Sequence, residues 1–88
     1  MNLEIAKRHA IAMLRKRLAS HWSRQEIIKT DHEGQGDSEA RPGYLISAGR
    51  ISFPGVLRHE QAAVTFRLAE LIDEIEGQQR QPDLFGFS

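Results

Sequence analysis

The groups in this chain that could hold a metal or move a proton are histidines 9, 21, 32 and 59 and twelve acidic residues. "HEQAA", from His59, opens like the zinc-protease helix motif, but the second histidine would fall on Ala63. "DHEGQGD" mixes carboxylates with glycine, yet its spacing does not supply the alternate ligands of a calcium loop. His9 and His21 are twelve residues apart on one helical stretch and do not share a face. The chain has no cysteine, which excludes disulfides and thiolate metal sites. No glycine-rich phosphate loop follows a strand. The spacing therefore predicts solvated or capping histidines, and neither an enzyme, nor a metal site, nor a cofactor.

Two other sets of residues are patterned. The first is "QPDLFGFS", where Gln81, Asp83, Leu84, Phe85 and Phe87 follow the polar stretch "EGQQRQ". Adjacent apolar anchors on an extended segment are what a linear recognition motif needs. The same side chains could instead fold back and complete a small core. The second set is basic. Residues 1–30 carry seven Lys/Arg against two Glu, whereas residues 31–88 carry five Arg against ten Asp/Glu. Arg8, Arg15, Lys16, Arg17 and Arg24 are thus candidates for weak, non-specific phosphate contact. Two oppositely charged helices packed on each other, within a chain or between subunits, would give the same asymmetry.

The elements that must position these groups are few. Leu3, Ala10, Ile11, Leu14, Leu18 and Trp22 form one helical stripe, with Asn2 as N-cap and Glu4 in the first turn. Ser23 lies three residues before Glu26, a capping-box spacing that predicts a break near Trp22 and a short helix to Lys29. "DHEGQGDSEARPG", residues 31–43, reads as a loop. "YLISAGRISFPG" predicts a hairpin turning at Ala48-Gly49, with Ser47 opposite Arg50, Ile46 opposite Ile51 and Tyr44 opposite Phe53. Tyr44, Ile46, Ile51 and Phe53 then share one face, and Ser47, Arg50 and Ser52 the other. Leu57, Gln61, Val64, Leu68, Leu71 and Ile75 predict a second long helix over 57–76, stopped by Gly77, with Phe66 off its stripe. The expected fold is α+β: two main helices, a short helix and a β-hairpin. It divides into a domain over 1–77 and a polar linker with a recognition tail over 78–88.

With 88 residues, 40% apolar and 27% charged, the chain suits one ordinary globular domain. No apolar run is long enough to span a membrane, and the first residues lack a signal-peptide core, so the expected location is the cytoplasm. A hairpin and two helices make a thin core. The seam of the second helix therefore predicts a homodimer.

"HWSRQEIIKT" resembles the first helix of a helix-turn-helix unit, but the glycine- and proline-rich loop after it forbids a recognition helix. Gln81-Pro82-Asp83-Leu84-Phe85 resembles the clamp-binding pentapeptide of bacterial DNA polymerases and repair proteins, which docks in a cleft of the sliding clamp. The resemblance implies that Gln81 hydrogen-bonds at the cleft mouth and that Leu84 and Phe85 fill the apolar subsite. Asp83 takes the acidic-or-serine position. Pro82 stands where leucine is usual, losing an apolar contact and stiffening the segment. The function so implied is a small accessory or regulator of replication or repair, of the kind a phage or plasmid encodes, that recruits or occludes the clamp. The alternative is a dimeric helical interaction or DNA-binding protein whose tail only completes its core.

Overall fold

Asn2 caps the first turn through its side chain, with Glu4 N–H donating to its Oδ1 at 2.7 Å, and helix α1 runs from Leu3 to Ala19. In the computed structural model, residues 2–54 and 64–80 are described, with side chains described as far as Gln78. The α1 face that packs is Ala6, Ala10 and Leu14, all fully buried, with Ile11, Met13 and Leu18 beside it. Leu3, expected in the stripe, is 63% exposed. Two alanines one helical turn apart let α1 lie close on its neighbours, and the hydrophobic stripe alone understated Ala6.

α1 ends in a Schellman motif. Trp22 N–H donates to the Arg17 carbonyl and His21 N–H to the Leu18 carbonyl, both at 3.1 Å. The residue that must go left-handed is His21, with φ of 68°. An L residue with a Cβ is strained there, where glycine is the usual occupant. His21→Gly should therefore raise stability by about 0.5–1 kcal/mol in thermal unfolding, after allowance for the greater freedom of glycine in the unfolded chain. A loss of stability would mean that the imidazole makes a contact worth more than the strain.

The expected capping box is present. Ser23 Oγ accepts from Glu26 N–H, Glu26 Oε1 accepts from Ser23 N–H, and helix α2 spans Arg24–Lys29 with Ile27 buried. Beyond it the chain forms a four-stranded antiparallel meander: β1 His32–Gly34, β2 Tyr44–Ser47, β3 Arg50–Phe53 and β4 Val64–Arg67. The β2–β3 hairpin has the predicted register, Ser47 opposite Arg50 and Ile46 opposite Ile51. Its turn residues Ala48 and Gly49 have φ of 53° and 74°, the left-handed pair that a two-residue hairpin turn requires.

Two expectations are corrected. Residues 31–43 are not all loop, because His32, Glu33 and Gly34 pair with Ile46, Leu45 and Tyr44. A three-residue edge strand without an apolar alternation leaves no periodic signal. The helix expected over 57–76 is also different. Its second half is strand β4 followed by helix α3 from Leu68 to Arg80, while Leu57 and Gln61 lie outside the described residues. Val64 and Phe66 alternate with Thr65 and Arg67, a period of two, and β3 supplies a partner for that strand. Phe66, off the helical stripe, is half-buried against the core.

Gly77 does not stop α3, which continues to Arg80. A Cβ built on Gly77 would meet nothing within 4 Å. Gly77→Ala should thus raise stability by about 0.5–1 kcal/mol, the ordinary difference between these residues inside a helix. An unchanged melting temperature would show that the last turn of α3 contributes nothing to the cooperative unit.

The three helices cover one face of the sheet. Leu14, Ile27, Ile46, Ile51, Leu68, Ile72 and Ile75 are fully buried in one cluster with Phe53. The seam residues Leu68, Leu71 and Ile75 are therefore covered within a single chain, by α1, α2 and a sheet twice as wide as the expected hairpin. That burial leaves none of these three side chains open to a second subunit.

Candidate functional site

The charge asymmetry resolves first. Arg24, at the start of α2, pairs with Asp73 and Glu76 on α3. Lys7 Nζ of α1 lies 3.0 Å from Glu74 Oε2, and Arg15 donates to Gln78 Oε1 at 2.8 Å. The hydrogen bond to Asp73 pushes the Arg24 guanidinium further up from its ordinary range, and both carboxylates act in the same direction. The raised guanidinium stays charged until strong alkali deprotonates it, so its own titration builds no switch near neutrality. Exposed pairs of this kind are individually worth little. Together they fix which face of the basic half meets the acidic helix.

The five basic candidates consequently do not form one free face. Arg15 and Arg24 face α3. Arg17 stacks its guanidinium 4.9 Å from the Trp22 ring centre, and its Nη1 is enclosed without a hydrogen-bond partner. Arg8 and Lys16 are exposed and make no ion pair among the described residues.

Two of the described histidines have partners for their side chains. His9 Nε2 lies 2.9 Å from the Glu39 carbonyl, tying α1 to the loop between β1 and β2. His32 stacks on Tyr44, with ring centres 5.6 Å apart, and its Nδ1 lies 2.8 Å from the Tyr44 hydroxyl. That contact holds the short edge strand to β2. Gly34 makes it possible, since a Cβ there would stand 2.0 Å from the Tyr44 ring. His59 lies outside the described residues, among which no group of three or more His, Cys, Asp or Glu could hold a metal ion.

The β1–β2 loop is ordered by its own backbone, with Asp37 N–H donating to the Arg41 carbonyl at 3.0 Å. It walls an open concavity of about 440 Å³ whose polar lining includes Glu33, Asp37, Ser38 and Tyr44. The chain matches no family model, no curated protein and no solved structure. No helix among the described residues is long and apolar enough to cross a membrane. Gln81, Asp83, Leu84, Phe85 and Phe87 lie outside the described residues.

The residues that sequence reasoning missed are on the sheet face away from the helices. Glu33, Leu45, Ser47, Arg50, Thr65 and Arg67 are exposed there and Ser52 half-exposed. The hairpin register already placed Arg50 on this face. Its neighbour Arg67 was hidden by assignment to a helix.

Proposed function

We propose that this protein binds the bacterial sliding clamp through residues 81–85 and acts without catalysis as an accessory or regulator of DNA replication or repair. The observation that carries the reading is the pentapeptide, in which Gln81, Asp83, Leu84 and Phe85 stand at the positions that the clamp-binding pattern specifies. The pentapeptide begins at the residue after the last residue of α3. That helix is anchored by Leu68, Leu71, Ile72 and Ile75 in the core and by ionic contacts to Lys7 and Arg24. A docking segment attached to a fixed helix starts from a defined point and loses less freedom on binding than one at the end of a long flexible chain. Leu84 and Phe85 supply the apolar anchors, Gln81 a polar contact at the cleft mouth, and Phe87 a further ring beyond it.

The reading places the protein in the cytoplasm with its partner. It accommodates either consequence of docking, tethering of this domain at the clamp or exclusion of other clamp-binding proteins from the cleft. A homodimer would bring two such segments to a symmetric ring. The test is capture of purified clamp by the intact protein, compared with the Leu84→Ala, Phe85→Ala variant.

A further inference from the structure

Arg50 on β3 and Arg67 on β4 are register partners, and both are exposed. Leu68 N–H donates to the Gly49 carbonyl at 2.9 Å. That bond makes 49–68 a hydrogen-bonded pair and 50–67 a non-hydrogen-bonded one, the kind in which opposing side chains stand closest. Like charges directly opposite each other destabilise a sheet. No carboxylate of a described residue neutralises either guanidinium, because the ion pairs among those residues join Lys7 to Glu74 and Arg24 to Asp73 and Glu76. The described acidic residue on this face is Glu33, opposite Leu45 on the far edge strand and two strands away from β3.

Hydroxyls surround the arginine pair. Ser47 is the partner of Arg50 on its other side. Ser52 and Thr65 are partners in the row next but one, with their oxygens 3.0 Å apart. Only one of these two hydroxyls donates to the other, so one proton is left free for another acceptor. The apolar element of the face is Leu45, 46% exposed.

We infer that this open sheet face binds the phosphate backbone of duplex nucleic acid. Arg50 and Arg67 contact phosphate oxygens, and the Ser47 hydroxyl and whichever of Ser52 and Thr65 keeps its proton donate beside them. A phosphate between the guanidiniums replaces their repulsion by two charge-assisted hydrogen bonds. The described face has no aromatic ring on which an unstacked base could lie, which favours a duplex over a splayed single strand. It also has no apolar pocket for the side-chain anchor of a protein partner. Contact of this kind reads phosphates and not bases, so it is independent of sequence. The inference stands apart from the clamp reading, since neither arginine belongs to the pentapeptide and its test contains no clamp.

The test is fluorescence anisotropy of the intact protein with labelled mixed-sequence duplexes of about 20 base pairs, over roughly 25–150 mM salt. Retention is expected at the lowest salt, equal across sequences, with a log–log salt slope of about −1.8 for two phosphate contacts. Arg50→Gln with Arg67→Gln should weaken binding about tenfold or more at the lowest salt and bring the slope near zero. The melting temperature of that variant should hold or rise, because a repulsive pair has been removed. Arg8→Gln with Lys16→Gln, which removes the same charge from α1, should leave most of the binding. No retention by the wild-type protein, or equal losses from the two double variants, would overturn the assignment. So would displacement of the duplex by polyglutamate at matched charge, which would make the face a site for an acidic protein.

Discussion

Replacing Leu84 and Phe85 together by alanine should abolish capture by the bacterial sliding clamp and leave the melting temperature within about 1 °C of the wild type. In the proposed complex the two side chains fill one apolar subsite. Truncating paired anchors of that kind commonly costs 2 kcal/mol or more each, so a loss of about a thousandfold in affinity is expected. The unchanged melting temperature is the other half of the prediction. If Leu84 and Phe85 instead complete the core of the domain, the double change removes buried apolar volume and costs roughly 5–10 kcal/mol. Calorimetric titration against clamp and a thermal melt of the same variant separate the two cases. A large fall in melting temperature with no clamp binding by the wild type would sink the proposal.

The largest loss of stability should come from Leu68→Glu. Leu68 is the first residue of α3, fully buried, and its amide closes the ladder between β4 and the β2–β3 turn. A glutamate there must either bury an unpaired carboxylate or pull the start of α3 out of the core. A domain of this length holds roughly 4–13 kcal/mol in all, and the substitution should cost more than about 4. The variant should thus lose its cooperative melt in circular dichroism, with Leu68→Ala intermediate at about 2–5 kcal/mol. Leu45→Gln is the surface control, since Leu45 lies on the open face of the sheet, is half exposed, and stands opposite Glu33, where a second carboxylate would be repelled. Its cost should stay within about 0.5 kcal/mol, the usual range for surface substitutions. A soluble, folded Leu68→Glu protein would refute the one-chain burial of the α3 seam.

The two arginine sets show how far charge alone can be read. The excess of basic residues in the first thirty correctly suggests an electrostatic role for that segment, and the structure spends much of it on α3. Arg15 and Arg24 are engaged with Gln78, Asp73 and Glu76, partners some fifty to sixty residues away. Arg50 and Arg67 sit in the segment with net negative charge, yet they stand opposite each other and pair with no carboxylate among the described residues. Segment totals cannot show which residues become neighbours.

What the sequence by itself determined is what short-range geometry controls. Asn2 and the Ser23–Glu26 box set two helix starts because each cap closes a hydrogen bond over two or three residues. The hairpin register followed from a two-residue turn and a period of two, and the α+β class followed from the elements so placed. The pentapeptide is legible for the same reason, since its pattern is contained in five adjacent positions. What only the tertiary structure decided involves partners distant in sequence. Val64–Arg67 satisfies a helical spacing nearly as well as an extended one, and pairing with Arg50–Phe53 makes it a strand. His32–Gly34 has no periodic signal of its own and becomes a strand because β2 offers it a ladder. The arginine pair on the open face exists only once β3 and β4 are laid side by side.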